Sequence, residues 1–104
     1  MNYTAIVSSA ALQDIEQAVF WYEKKLEGLG EKIVESFYES VLVLEDNPKL
    51  FEKKYNEVRI KYITRFPYGI HYMIQKDTVK IIAFFHMKRD PIRWENRLRE
   101  EENS

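Results

Sequence analysis

Apolar residues recur at Leu12, Ile15, Val19, Tyr22 and Leu26, at alternating steps of three and four. That is the return period of one face of an α-helix, and it predicts a helix over residues 10–26. Ser8-Ser9 stands just before it and offers hydroxyl acceptors to the first free N–H groups. Leu12 occupies the position where a capping box after Ser9 would place Glu or Gln, so that device is missing. Asp14 falls early in the helix, where the dipole favours a carboxylate. Gly28-Leu29-Gly30 interrupts the pattern, and Ile33, Phe37, Val41 and Leu44 resume it over residues 31–45. Glycine is a natural helix stop, and Asn47-Pro48 ends the second helix because proline lacks an N–H and restricts the residue before it. Two helices joined by a short glycine turn predict an αα-hairpin.

Outside the hairpin the period drops to two. Residues 2–7, with Tyr3, Ala5 and Val7 set against Thr4 and Ile6, predict a short strand ahead of the first helix. Val58, Ile60 and Tyr62 alternate with Arg59, Lys61 and Ile63, a second strand. Phe66-Pro67-Tyr68-Gly69 is expected to turn, Ile70, Tyr72 and Ile74 to form a third strand, and Gln75-Lys76-Asp77-Thr78 to turn again. Residues 79–85 are almost wholly apolar, as a central strand covered on both faces requires. Turns this short force neighbouring strands to run antiparallel. Asp90 and Pro91 are a good N-cap and first residue for a last helix, whose apolar contact is Trp94 with Leu98. The expected class is α+β in the order β-α-α-β-β-β-α, a helical hairpin packed on a small, mainly antiparallel sheet.

Composition narrows this picture. The 104 residues suit one domain, 1–104, and 45% hydrophobic with 32% charged residues argues against disorder. Aromatic residues reach 14%, so a small core still buries much area. With no cysteine there is neither a disulfide scaffold nor a thiolate metal site. The first nine residues lack the basic start and apolar stretch of a signal peptide, and no apolar run approaches the ~20 residues that span a bilayer. A cytoplasmic location with no membrane partner is the expectation. The formal net charge of −1 gives no general affinity for a polyanion, so any basic surface must arise by sorting charges onto one face. Basic residues do cluster between Lys53 and Arg99, ahead of the acidic run at residues 100–102.

Familiar reaction chemistry is absent. Three glycines cannot supply a phosphate-binding loop, and His71 with His86 lacks the carboxylate cluster of a metal site. No serine lies in a nucleophile elbow, and Asp14 and Glu16, two apart on a helix, point to different sides. No cofactor and no metal are expected. What remains is basic and aromatic: Arg59, Lys61, Arg65, Tyr68, His86, Lys88, Arg89, Arg93 and Arg97. Arg59, Lys61 and Arg65 share strand parity and so one face. Arg93 and Arg97 lie beside Glu100 and Glu101, where helix-surface ion pairing accounts for them. Trp21, Tyr22 and Trp94 are read as core and hairpin packing, and His86 as a structural hydrogen-bonding residue at a strand end.

Several of these segments, in this order, resemble the RelE/ParE superfamily of toxins from type II toxin–antitoxin modules, the plasmid stabilisation proteins. They are Ala11-Leu12-Gln13-Asp14-Ile15, Trp21-Tyr22-Glu23, Gly28-Leu29-Gly30, Asn47-Pro48, Val58-Arg59, Arg65-Phe66-Pro67-Tyr68-Gly69-Ile70 and His86-Met87-Lys88-Arg89-Asp90-Pro91 with Trp94 and Arg97. The resemblance covers nearly the whole chain, and the fold of that superfamily agrees with the one read from periodicity.

The resemblance implies a small growth inhibitor held inactive by a cognate antitoxin, as a homodimer or within a toxin–antitoxin hetero-oligomer. Two mechanisms share the fold. In the RelE-like branch the toxin cuts mRNA on the ribosome. There the resemblance would give Arg59, Lys61 and Arg65 the phosphate charge and His86 the acid or base role. In the ParE-like branch the toxin inhibits DNA gyrase by binding, with Tyr68, Arg89, Trp94 and Arg97 as the expected target contacts. The His-x-x-Arg-Asp-Pro close is more ParE-like. The tyrosine common near the C-terminus of the nuclease branch is missing, since none follows Tyr72. The slightly negative net charge is also unhelpful for entering ribosomal RNA. The expectation is therefore a binding toxin closer to ParE, with an endoribonuclease or a non-toxic binding module as alternatives.

Overall fold

The computed structural model describes residues 3–103, so Asn2 of the expected first strand lies outside the described residues. The described chain runs β1 (Thr4–Val7), α1 (Ser9–Lys25), α2 (Leu29–Asp46), β2 (Lys53–Tyr55), β3 (Val58–Tyr62), β4 (Tyr68–Gln75), β5 (Thr78–His86) and α3 (Pro91–Glu102). The strands form one sheet in the order β1-β5-β4-β3-β2; β1 runs parallel to β5 and every other pair is antiparallel.

Two differences from the sequence reading have simple causes. First, β2 adds a strand to the expected order. It is three residues of an edge, Lys-Lys-Tyr, with no apolar alternation to announce it. Second, Tyr68 and Gly69 begin β4 instead of turning. The turn closes earlier, where the Ile63 N–H donates to the Tyr68 carbonyl at 3.0 Å and Arg65 takes a left-handed φ of 73°. Gly69 must stay small, because a Cβ there would sit 2.8 Å from Ile60 Cγ2 and 3.1 Å from the Tyr62 ring.

The hairpin forms as its stop signals require. Ser8 caps α1, its hydroxyl accepting from the Ala11 N–H at 3.1 Å. Gly28 adopts φ 95°, a left-handed position open to glycine at little cost. The Glu23 carboxylate then accepts from the N–H groups of Gly28 (3.0 Å) and Gly30 (2.9 Å), closing the α1–α2 turn over the start of α2. These two bonds hold its pKa below the usual carboxylate value.

One face of the sheet carries the hairpin. Ala11, Ile15, Ile33, Phe37 and Leu44 pack there on Ile70, Tyr72, Ile81 and Phe84. Full burial of a side chain like Ile33 or Leu44 contributes about 1.5–3 kcal/mol. The apolar stripe read on α1 is displaced, however: Leu12 and Leu26 are exposed, and Ala11 and Ala18 take the buried positions. The other face carries α3, with Leu98 and Trp94 on Val58, Ile82, Ala83 and Phe85. Covered on both sides, β5 has reason to be almost wholly apolar over its central residues 81–85. Among the described residues no helix is long and apolar enough to cross a membrane.

Candidate functional site

At the end of the sheet Tyr68, the first residue of β4, pairs with His86, the last of β5. Period-two alternation puts Phe84 and His86 on the same face as Tyr68, toward α1. The Tyr68 ring stacks on Phe84 with centroids 4.8 Å apart and 15° between planes, and His86 meets its edge at 5.3 Å. From α1, Tyr22 stands edge-on to Tyr68 at 6.1 Å, and Trp21 edge-on to Tyr22 at 4.8 Å. Between these rings, Gln17 and Arg89 lies an open cleft of about 320 Å³.

The polar groups of the cleft have defined states. The Lys88 N–H donates to His86 Nδ1 at 3.1 Å, so a neutral His86 carries its proton on Nε2. Burial pushes the Tyr68 hydroxyl above its ordinary pKa, Tyr22 adds to the rise and Arg89 opposes it. Tyr68 is therefore a hydrogen-bond donor at neutral pH. The Arg89 guanidinium lies over the Phe85 ring at 4.9 Å, and among the described residues no carboxylate pairs with it. The cleft thus offers aromatic faces, hydrogen-bond donors and, at its margin, the Arg89 cation, which has no carboxylate partner among the described residues.

Of the eight residues singled out in the sequence, the cleft collects Tyr68, His86 and Arg89. Arg59 and Lys61 lie apart from it. Arg59 Nη1 donates to the Phe51 carbonyl at 2.6 Å, and Lys61 Nζ to the Tyr62 carbonyl at 2.8 Å. Arg59 pairs with Tyr72, four positions along β4 from Tyr68, or about 13 Å at ~3.3 Å per residue. Arg65 is exposed on the β3–β4 loop. Trp94 sits beneath α3 on the opposite face, stacked on Tyr55 at 5.3 Å. Arg97 is committed to Asp14, Nη1 to Oδ2 at 2.6 Å and Nη2 to Oδ1 at 3.0 Å. The sequence reading missed Gln17 in the cleft and placed Trp21 in the core, whereas Trp21 is 52% exposed. Its position outside the apolar stripe of α1 was the available signal.

A second surface lies on the far side of α1. There α1 and α2 leave an apolar groove of about 460 Å³ between Leu12, Val19, Phe20, Val34 and Tyr38, with Val7 of β1 at its margin. Phe20 is 66% and Tyr38 61% exposed, more apolar surface than a solvated helix needs. Among the described residues no cluster of three or more His, Asp or Glu could hold a metal ion.

Residues 5–91 match the family model described as the ParE toxin of type II toxin-antitoxin system, parDE. No curated protein matches the chain in sequence. Among solved structures, a chain of the chromosomal ParDE TA system from P. aeruginosa is similar in fold, with a TM-score of 0.72 at 15% identity. That match covers 82% of this chain and 96% of the other.

Proposed function

The chain belongs to the ParE toxin family of type II toxin–antitoxin systems, and from that premise we propose that it arrests growth by binding an essential target, DNA gyrase, through the cleft at the end of its sheet. The observation that carries the proposal is the company of Arg89. Arg89, its guanidinium over Phe85 and without a carboxylate partner among the described residues, lines the cleft with Trp21, Tyr22, Tyr68 and His86, and rigid rings with an arginine are the residue types that dominate protein interfaces. The cations that a nuclease of this fold would gather at a phosphate are dispersed instead. Arg59 and Lys61 are turned to backbone carbonyls away from His86. Binding needs no assembled catalytic set, so the arrangement suits it.

Neutralisation is assigned to the other side of α1. An antitoxin segment with an amphipathic helix fits the apolar groove between α1 and α2, filling it with anchors at helical spacing. A flexible segment that folds into such a groove loses entropy on ordering, and the exposed Leu12, Phe20 and Tyr38 supply the apolar area to offset it. The solved chromosomal ParDE toxin–antitoxin system of similar fold supports an antitoxin partner. Unrestrained expression is expected to stop growth, and co-expression of a small adjacent reading frame with a DNA-binding N-terminus to restore it. Normal growth under unrestrained expression would leave a non-toxic binding module in its place.

Ribosome-dependent RNA cleavage is the second reading, favoured by His86 alone. Its Nδ1 is held by the Lys88 N–H, and it shares the cleft with the Arg89 cation. It predicts mRNA cuts on stalled ribosomes that vanish in His86→Ala.

A further inference from the structure

We propose that α3 is a releasable lid whose docking is coupled to the protonation of His71, so that mild acid frees the helix while the sheet and hairpin stay folded. The motive is a buried histidine that the cleft does not use. His71, on β4, is 2% exposed and lies on the α3 face of the sheet. Its ring meets Trp94 of α3 at 5.1 Å, Phe85 of β5 at 5.1 Å and Tyr55 of β2 at 5.7 Å, and Ile60 of β3 is its register partner. Among the described residues only Tyr55 makes a hydrogen bond to it, Oη to Nδ1 at 2.8 Å. Burial keeps the Tyr55 hydroxyl protonated, so it donates and Nδ1 accepts.

A proton added to that ring has no favourable place. The pocket is aromatic, Nδ1 already faces a donor, and the one full charge acting on His71 is the like charge of Arg97. Burial first, and Arg97 second, pull the His71 pKa from 6.5 down to about 3. Trp94 and Arg97 both belong to α3. When α3 leaves, the ring loses its cover and its repelling cation together, and water can solvate the imidazolium.

The helix is built to leave. Leu98 is its one fully buried side chain, and Trp94 Nε1 is buried there without a hydrogen-bond partner. Its last turn carries Glu100, Glu101 and Glu102, the wrong sign for the C-terminal end of the dipole. Twelve residues of polar sequence do not hold a helix alone in water. Ion pairs latch it, among them Arg97 to Asp14 of α1 at 2.6 Å and Glu101 to Lys80 of β5 at 3.5 Å.

The sign follows directly. The docked state binds His71's proton less tightly than the released state, so docking is fully favoured above pH 6.5 and weakens as pH falls toward 3. With those two values the release equilibrium rises about twenty-five-fold from pH 7 to pH 5. Amide hydrogen exchange of the full chain, corrected for intrinsic rates, reads this directly. Protection over Pro91–Glu102 is expected to fall about twenty-five-fold between pH 7 and pH 5 while that of β4 and β5 holds. In His71→Gln, which still accepts from Tyr55, the α3 fall should be less than about twofold. Should that variant not fold, the wild-type ring itself decides, by its NMR titration. A His71 resonance that titrates near its ordinary pKa with α3 still protected overturns the proposal, as does α3 and β4 losing protection together.

Discussion

Arg97 and Asp14, 83 residues apart, fill the ladder position that β1 vacates along β5. Past Val7, β1 ends; the Asp14 carboxylate accepts from the Phe84 N–H at 3.0 Å, and Arg97 Nη1 donates to the Ile82 carbonyl at 3.0 Å. The register between β4 and β5 shifts there, His71 facing Ala83 and Tyr72 facing Ile81, so Ile82 has no partner of its own on β4. The arginine thus serves a bulge and ties α3 to α1 through one bidentate contact.

Removing either partner leaves the other charge largely buried and strands a backbone group. Arg97→Ala should destabilise the fold by about 3–5 kcal/mol, the range for breaking such a pair. Arg97→Lys should recover little, because an ammonium cannot reproduce two parallel bonds. Urea unfolding at pH 7 measures both. A loss under about 1 kcal/mol for the alanine variant would show the pair to be a surface contact.

This pairing also marks the limit of what the sequence discloses. The helices, β1, β3 and β5 were legible because each has an apolar period and a stop signal, Gly28, Pro48 or Asp90-Pro91. Edge strand β2 was not, since Lys53 and Lys54 are exposed and only Tyr55 reaches the core, which leaves no apolar period to read. Of the cleft, Tyr68, His86 and Arg89 could be picked out by chemistry, but their meeting depends on register between β4 and β5. Arg59 and Lys61 share their parity on β3, yet their side chains fold back onto Phe51 and Tyr62. Nothing local predicts that Asp14 reaches past the sheet to Arg97 rather than serving the dipole of its own helix.

Tyr72 connects the sheet to the end of α2, its hydroxyl donating to the buried Pro48 carbonyl at 2.6 Å. Burial pushes its pKa up to about 12, with Arg59 opposing. A group raised in the folded state stabilises fully below its unfolded pKa near 10 and loses that contribution as pH rises through about 12. Tyrosinate absorbance should therefore show a late step to which Tyr72 contributes. Tyr72→Phe should cost about 1–2 kcal/mol, the price of an unsatisfied buried carbonyl, and should shrink the late step to the share of Tyr55, whose hydroxyl burial also raises.

The hairpin groove separates binding from folding. Phe20 and Tyr38 are more than half exposed, so Phe20→Glu or Tyr38→Glu should alter stability by no more than about 0.5 kcal/mol. Calorimetric titration with the antitoxin should nevertheless show affinity falling at least tenfold. Unchanged affinity would move the antitoxin to another surface.

Gyrase supercoiling in the presence of purified protein tests the central claim most directly. The account predicts inhibition that rises to saturation and is lost in Arg89→Ala and Tyr68→Ala, while Arg59→Ala, distant from the cleft, inhibits like the parent chain. Normal supercoiling at saturating protein, with each chain shown to be folded, would contradict it.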